Sequence, residues 1–242
     1  MKHPPQSIED FKTLIDQARE FRQKTGRPYI TVSYAQSLDG SIATLNKNQM
    51  QLSGRESMFL THRLRACCQS ILVGIGTVLA DNPSLTVRLA EGQNPQPIIL
   101  DTRLRTPLDA NLVRRSDLST WIVNGKHERV HPDHALSKKG ATLISCRCDP
   151  DGLIDLSALM DELARRNIDS IMVEGGARVI TSFVKLKLVD LFVVTVSPKL
   201  VGGLPVIDTA SFKASSYIQL KDVHYQRLGV DLIIWARPNW GN

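Results

Sequence analysis

The segment Val173-Glu174-Gly175-Gly176 places an acidic side chain and two glycines at the end of an apolar stretch. Residues 170–173 have the composition of a buried strand, and a helix is predicted from residue 177. Glycines let backbone N–H groups approach a ligand closely, and a helix N-terminus favours anions. A pyrophosphate could therefore bind here. A strand-to-helix turn without a ligand explains the same pattern, and on the evidence of this motif by itself it is the favoured interpretation.

A second glycine turn, Gly74-Ile75-Gly76-Thr77, follows the apolar residues 71–73. The position of the third glycine in the dinucleotide fingerprint G-x-G-x-x-G holds Leu79, so a Rossmann site is not predicted. Ligands of open α/β sheets bind at the carboxyl ends of the strands. Two glycine turns at such ends therefore indicate a ligand site more strongly than either turn does alone.

Two arginines are candidates for binding a phosphate group. Arg65 lies in an otherwise apolar predicted helix, and Arg88 follows the loop Asp81-Asn82-Pro83. Guanidinium groups bind phosphate oxygens in a bidentate geometry. A solvated surface position for each arginine is the alternative.

The histidines and cysteines do not indicate a metal site. The segment His131-Pro132-Asp133-His134 is interpreted as a surface loop, because its proline disrupts helical spacing. Cys67 and Cys68 are adjacent, and one residue separates Cys146 from Cys148, so neither pair has the C-x-x-C spacing of common zinc sites. Free thiols in a reducing cytosol are expected.

Composition and motifs argue against several classes of protein. The chain has no G-x-S-x-G, Walker or H-E-x-x-H motif, so hydrolase and NTPase functions are unsupported. Its 30 Lys and Arg against 24 Asp and Glu give a net charge of +6, but the basic residues form no long run and aromatic residues make up only 5%. We therefore expect no nucleic-acid partner, and the positive bias fits a pocket for phosphates.

The 242 residues contain no long apolar segment, no linker and no internal repeat. We expect one domain without a signal peptide or membrane span, located in the cytoplasm.

Apolar periodicity predicts alternating helices and strands. An amphipathic helix is predicted over 7–24, with Ser7 as N-cap and Gly26 at its end. A capping box from Ser53 to Glu56 predicts a helix to about residue 68. Further helices are predicted at 155–167 and 177–187, and strands at 29–35, 71–73, 97–101, 120–124, 141–145, 170–173 and 191–197, with a late hairpin at 222–228 and 230–236 around Gly229. This order predicts an α/β fold with a mostly parallel central sheet, an antiparallel C-terminal hairpin and flanking helices.

In order and spacing, these segments closely resemble the reductase domain of the bifunctional riboflavin-biosynthesis deaminase/reductase. The matching segments are 37–40 (SLDG), 62–66 (HRLRA), 71–88 (ILVGIGTVLADNPSLTVR), 97–107 (PIILDTRLRTP), 173–176 (VEGG) and 189–198. The resemblance spans roughly residues 28–237. We therefore divide the chain into an N-terminal helical extension, residues 1–27, and a riboflavin-type reductase domain, residues 28–242.

The resemblance implies a single-domain dihydrofolate-reductase-like fold, a homodimer, and NADPH as hydride donor. The implied reaction converts 5-amino-6-(5-phosphoribosylamino)uracil, a phosphorylated pyrimidine, to 5-amino-6-(5-phosphoribitylamino)uracil. Such an N-glycoside can open to an imine at C1′, and hydride addition there gives the ribitylamine.

The resemblance also implies roles for individual residues. Those that would meet the substrate are Arg65, Leu85, Arg88 and Glu174, with the arginines at its phosphate and Glu174 near its ribose or base. Those that would meet the cofactor are Ala35, Thr77, Asp81, Thr102, Gly175 and Gly176, with the pyrophosphate at Gly176. Asp81 and Glu174 are the catalytic candidates, and Arg103 is a candidate contact for the 2′-phosphate of NADPH.

Two departures from the family pattern keep alternatives open. Gln49 and Gln51 stand where family members often have a serine and a tryptophan. The zinc-deaminase signature H-x-E with P-C-x-x-C is absent, so we expect the chain to act alone or beside a separate deaminase. The alternatives are an NADPH-dependent reductase of the same fold acting on a pterin or related heterocycle, and a non-enzymatic nucleotide-binding or RNA-binding protein.

Overall fold

The computed structural model describes residues 5–46, 50–126, 134–208 and 217–241. Its helices are α1 (Ile8–Asp16), α2 (Ala18–Thr25), α3 (Arg55–Cys67), α4 (Ile75–Asp81), α5 (Ala135–Lys138), α6 (Leu156–Arg165) and α7 (Ala177–Lys185). Its strands are β1 (Tyr29–Ser37), β2 (Ser41–Ala43), β3 (Ser70–Gly74), β4 (Gln96–Leu100), β5 (Trp121–Gly125), β6 (Thr142–Cys146), β7 (Ser170–Val173), β8 (Leu191–Ser197), β9 (Leu204–Pro205), β10 (Gln219–Leu228) and β11 (Asp231–Asn239).

Nine strands form the central sheet in the order β10-β11-β8-β1-β7-β3-β4-β5-β6. From β8 to β6 every neighbouring pair is parallel, whereas β11 runs antiparallel to β8 and β10 antiparallel to β11. The short strands β2 and β9 form a separate antiparallel pair. The predicted α/β class, mostly parallel sheet and antiparallel C-terminal hairpin are confirmed.

The middle of the sheet is covered on both faces, as its uninterrupted apolar strands require, whereas the edge strand β10 is largely exposed. All five residues of β3 and all four of β7 are buried. One core cluster joins α6 and α7 to the sheet, for example through Leu159 and Phe183. A second joins α1 and α3 to the sheet, and a third lies under α4 and α5. These layers fix the strand ends at which the candidate site lies.

The helix predicted over 7–24 is two helices, so that prediction was wrong in detail. Gln17 separates α1 from α2 and caps both. The end signals are confirmed, because the Ser7 side chain accepts a hydrogen bond from the N–H of Asp10 and Gly26 ends α2 with a φ of 78°. The fully buried Phe11 packs against Trp235 of β11, with ring centroids 6.1 Å apart. The N-terminal helices therefore share a core with the sheet, while the division at residue 28 stays a prediction.

The start of α3 also differs from the prediction. Gly54, not Ser53, is the N-cap, and no side chain of the described residues caps α3 as a capping box would. The N–H of Gly54 donates instead to Oδ2 of Asp231, at 2.7 Å. The helix start is thus anchored to β11, far along the chain.

The predicted late hairpin is confirmed, although both of its strands are longer than expected. Leu228 pairs with Asp231, which leaves Gly229 and Val230 as the turn. Gly229 has a φ of 62°, a conformation that glycine adopts without strain. Among the helices that the structure describes, none has the length and apolarity to cross a membrane.

Candidate active site

The two glycine turns follow neighbouring strands and therefore lie side by side. Strands β3 and β7 pair in parallel, with Leu72 opposite Val173. The N–H of Glu174 extends this ladder by donating to the carbonyl of Leu72 at 3.1 Å. Both turns thus stand at the same carboxyl edge of the sheet, where the sequence predicted a ligand site.

A side chain links the two turns directly. The N–H of Gly176 donates to Oγ1 of Thr77 at 3.1 Å. Thr77 belongs to the first turn of α4, and Gly176 is the N-cap of α7. The structure therefore brings together two of the predicted cofactor-binding residues.

The adjacent glycines of the second turn differ in their surroundings. A Cβ atom at Gly175 would lie 2.7 Å from Cβ of Val179, whereas one at Gly176 would meet only Oγ1 of Thr77, at 3.4 Å. Gly175 is therefore required for the close packing of α7 against its own turn. Gly176 leaves the entrance to α7 open.

The start of α7 has the features of an anion site. No side chain of the described residues caps it. The first N–H groups of a helix have no partner within the helix and carry a partial positive charge, so a phosphate can accept hydrogen bonds from them. Across the turn, a Cβ at Gly76 would meet nothing within 4 Å. The glycine turns therefore fit a phosphate-bearing ligand.

Arg65 and Glu174 form a bidentate ion pair. Nε and Nη2 of Arg65 donate to the two carboxylate oxygens of Glu174, each at 2.7 Å. Their side chains are only 12% and 14% exposed, so the pair is largely shielded from water. Burial alone would lower the pKa of Arg65, but the charge and hydrogen bonds of Glu174 outweigh it and raise that pKa. The pairing holds the Glu174 carboxylate in one orientation.

Thr86 connects this pair to Arg88. Nη1 of Arg65 donates to the carbonyl of Thr86 at 3.1 Å, and Nη1 of Arg88 donates to its hydroxyl at 2.7 Å. The side chain of Arg88 is exposed, whereas that of Arg65 is occupied by protein groups. The arginines do lie together, but Arg88 is the better placed to meet a phosphate from solvent.

Sequence reasoning assigned no role to Thr86 or to His62, whose Nδ1 accepts a hydrogen bond from the N–H of Arg88 at 2.9 Å. Both residues lie inside the segments that carry the family resemblance, but nothing local in the sequence marks them as contacts of the arginines.

Asp81 and Leu85 lie on the segment that leads from α4 towards Arg88. Asp81 is the last residue of α4, and partial burial raises the pKa of its carboxyl group. Among the described residues, no hydrogen bond joins Asp81 to another predicted site residue. The side chain of Leu85 is buried in the core and its φ is 52°, so its backbone is the part that could reach a ligand.

The other predicted cofactor residues lie on neighbouring strands. Ala35 is paired with Thr195 in the sheet, and the carbonyl of Thr102, just beyond β4, accepts a hydrogen bond from Gly125 at 3.0 Å. Arg103 is exposed.

The residue before Thr102 is a fully buried aspartate, Asp101, to which sequence reasoning assigned no role. Its Oδ2 accepts from both N and Oγ1 of Thr106 at 2.7 Å, which shapes this loop.

Gln49 lies outside the described residues. Gln51 is exposed, and its carbonyl accepts a hydrogen bond from Nζ of Lys199 at 2.6 Å.

The four cysteines are free thiols, and no group of potential metal ligands occurs among the described residues. Residues 131–133 are not described, and the His134 side chain caps α5.

Residues 28–234 match the model of the RibD C-terminal domain family. The chain belongs to this family. The riboflavin biosynthesis protein RibD of Aquifex aeolicus is 33% identical over 231 residues, covering 95% of this chain. This chain spans only 61% of that RibD protein. The 2,5-diamino-6-ribosylamino-4(3H)-pyrimidinone 5′-phosphate reductase of Archaeoglobus fulgidus is also 33% identical, covering 88% of this chain and 99% of its own length.

Solved structures agree with the RibD C-terminal assignment. The riboflavin biosynthesis reductase Rib7 of Saccharomyces cerevisiae has a TM-score of 0.72 at 26% identity, covering 95% of this chain and all of its own. A deaminase and 5-amino-6-(5-phosphoribosylamino)uracil reductase of Thermotoga maritima has a TM-score of 0.74 at 27% identity, covering 92% of this chain and 60% of its own. The predicted family and its reductase class are thereby confirmed.

Proposed function

We propose that this chain is an NADPH-dependent reductase that converts 5-amino-6-(5-phosphoribosylamino)uracil to 5-amino-6-(5-phosphoribitylamino)uracil. Membership of the RibD C-terminal domain family supports this proposal. The observation that carries it is the cluster of Arg65, Glu174, Thr86 and Arg88 at the same sheet edge as two open glycine turns. One part suits a phosphorylated sugar and the other a phosphate-bearing cofactor.

The nicotinamide cofactor fits the glycine turns. Its pyrophosphate would accept hydrogen bonds at the start of α7, beside Gly176 and Thr77. We assign Ala35, Asp81, Thr102 and Gly175 to the walls of the same cofactor site, in line with the family resemblance. We assign the 2′-phosphate to the exposed Arg103, a contact that would give the preference for NADPH over NADH. When bound, the cofactor supplies the hydride.

The substrate would be held at both ends of its ribose. Arg88 would bind the 5′-phosphate, because its guanidinium is exposed while Thr86 fixes its direction. Glu174, oriented by Arg65, would accept hydrogen bonds from a ribose hydroxyl or an amino group of the ring. The backbone at Leu85 would border the sugar. This clamp positions C1′, which becomes the imine carbon after ring opening, for reduction.

Asp81 is the candidate for handling a proton near the reacting centre. Its carboxyl group has a raised pKa because it is partly buried, so it retains a proton at higher pH than an ordinary aspartic acid. Glu174 is the second candidate, acting through the orientation that Arg65 imposes on it.

A second pyrimidine is a specific competitor for the substrate. The Archaeoglobus fulgidus and Methanothermobacter thermautotrophicus relatives are named as reductases of 2,5-diamino-6-ribosylamino-4(3H)-pyrimidinone 5′-phosphate. This chain aligns with more than 95% of the length of each. The two pyrimidines differ in having an amino or an oxo group on the ring.

The experiment that tests the function follows NADPH oxidation with each pyrimidine in turn, the uracil being made in situ by a separate deaminase. Faster turnover of the uracil supports the proposal as stated. Faster turnover of the diamino compound would support the proposed reaction but make that compound the substrate. NADPH binding without either turnover would redirect the proposal to another heterocycle, such as a pterin, and absence of NADPH binding would overturn it.

The family resemblance also leads us to propose a homodimer. Light scattering on the purified chain measures its mass in solution, and a monomer at the concentration of the assay would contradict this part. A cytoplasmic location stays a prediction.

A further inference from the structure

His62 lies on α3, one turn before Arg65, and is only 4% exposed. Its Nδ1 accepts a hydrogen bond from the N–H of Arg88 at 2.9 Å and lies 3.5 Å from the N of Leu89. An imidazole nitrogen that accepts a hydrogen bond carries no proton. The geometry therefore requires the neutral ring with its hydrogen on Nε2.

Two residues of one helix thus hold one short segment. His62 binds the backbone N–H of Arg88, and Arg65 binds the backbone carbonyl of Thr86. The segment between these contacts carries the exposed guanidinium of Arg88. Loss of the His62 contact would free the backbone from which that guanidinium projects.

The charged groups around His62 favour its neutral form. Arg65 of α3 and Arg88 of the following loop face it, as does Glu174 at the end of β7. Burial of the ring and the two positive charges hold the pKa of His62 below its ordinary value, against the opposing effect of Glu174. Protonation of Nδ1 would place an N–H against the N–H of Arg88 and break the bond.

We propose that His62 is a positioning residue that holds Arg88 in its phosphate-binding place while the imidazole is neutral and releases it on protonation. This inference rests on the proposed function, in which Arg88 binds the 5′-phosphate. His62 acts through Arg88 and is not assigned a chemical step.

The first test compares His62→Leu, which has no acceptor, with His62→Asn, whose Oδ1 can replace Nδ1. For His62→Leu we expect KM for the phosphorylated pyrimidine to rise about fivefold to tenfold, as for loss of one hydrogen bond, with kcat little changed. His62→Asn should recover most of this loss. The two variants should not differ with a substrate that lacks the 5′-phosphate, nor in KM for NADPH.

A double variant tests whether His62 acts through Arg88. In an Arg88→Ala background, His62→Leu should add no further rise in KM, because the group that it positions is gone. An equal rise in both backgrounds would overturn the proposal, and so would an unchanged KM in the single variant.

The pH dependence of KM tests whether protonation of His62 releases Arg88. It compares two proteins that both have a hydrogen-bond acceptor at position 62. The pKa of His62 is held below the ordinary histidine value of about 6.5, so KM of the wild type, divided by KM of His62→Asn, should rise only at pH values lower than this. Ionisation of the substrate phosphate affects both proteins and cancels in this ratio. A ratio that is flat across this range would contradict the proposal.

Binding of ribose 5-phosphate, measured by calorimetry, separates this inference from the proposed function. Weaker binding to His62→Leu than to His62→Asn would support the role of His62 even if no pyrimidine were reduced. Equal binding to both variants, in an enzyme that does reduce the pyrimidine, would overturn the role of His62 and leave the function standing.

Discussion

Thr77 and Gly176 are joined by a hydrogen bond of 3.1 Å, from the N–H of Gly176 to the hydroxyl of Thr77. The bond ties the first turn of α4 to the N-cap of α7, and so fixes the distance between the elements that follow β3 and β7. The entrance to α7 is thereby held open in a defined shape. A site of this kind needs little rearrangement on binding a phosphate.

Gly176→Val should weaken NADPH binding about tenfold, which corresponds to about 1.4 kcal/mol. The new side chain would enter the space assigned to the pyrophosphate. Fluorescence titration with NADPH measures the effect, and a folded variant with unchanged affinity would contradict the placement. Gly175→Ala is the contrasting variant, because its Cβ would meet Val179 at 2.7 Å, and it should lower the free energy of unfolding by about 2 kcal/mol.

Arg88→Ala should raise KM for the phosphorylated substrate and leave kcat nearly unchanged, because the phosphate does not react. Steady-state kinetics with and without the 5′-phosphate on the substrate checks this. Arg63→Ala serves as the control, since Arg63 is an exposed residue of α3 that pairs with Glu9. Identical kinetics of the two variants would show that Arg88 is an ordinary surface charge.

Glu174→Gln should lower kcat/KM about a hundredfold, because the carboxylate that we assign to the ribose loses its charge and its fixed orientation. The same change leaves Arg65 largely buried without its counter-charge, and should cost about 2 kcal/mol of stability. Denaturant unfolding measures the second effect. The control is Glu162→Gln, whose carboxylate pairs with Arg165 and Arg166 in a more exposed setting, and for which we expect less than about 1 kcal/mol.

Arg103→Ala should raise KM for NADPH about tenfold and leave KM for NADH unchanged, since only NADPH carries the 2′-phosphate. Arg105→Ala is a matched control on the same loop, and both arginines are exposed. An equal rise in KM for NADPH and for NADH would show that Arg103 does not contact the 2′-phosphate.

Phe11→Ala should destabilise the whole protein by about 3–4 kcal/mol. Phe11 is fully buried against Trp235 of the C-terminal strand, so the N-terminal helix is expected to unfold together with the sheet. Thermal unfolding followed by circular dichroism should show one transition at a lower temperature. Phe59→Ala, at a side chain 36% exposed, should change stability far less. An unaltered main transition in the Phe11 variant would mean that the extension folds separately.

The nine strands of the central sheet and both glycine turns could be predicted because their signals are local, whereas the short strands β2 and β9 were not predicted. Val173 and Glu174, for instance, mark the end of a buried strand by composition alone. The start of α3 could not be predicted, because the group that fixes it is Asp231, which belongs to the last strand. Arg65 and Glu174 are also far apart in the chain, so their pairing could not be predicted from local signals either.

Local patterns predicted which residues stand at the sheet edge, but not which of them contact one another. The family resemblance placed Arg65 and Arg88 at the same phosphate. Only the three-dimensional arrangement shows that one guanidinium is occupied by a carboxylate and the other faces solvent.

Strand β1 is the first strand in the sequence, but it pairs with β7 and β8. These two are the last of the parallel strands to be synthesised. Tyr29 pairs with Ser170 and Thr31 with Leu191. A ribosome-bound chain therefore exposes β1, with its buried apolar residues, through most of its synthesis, because nothing it pairs with yet exists. Closing such long loops slows folding. A nascent chain stalled after β6 should accordingly depend on chaperones, and adding β7 and β8 should release it from them.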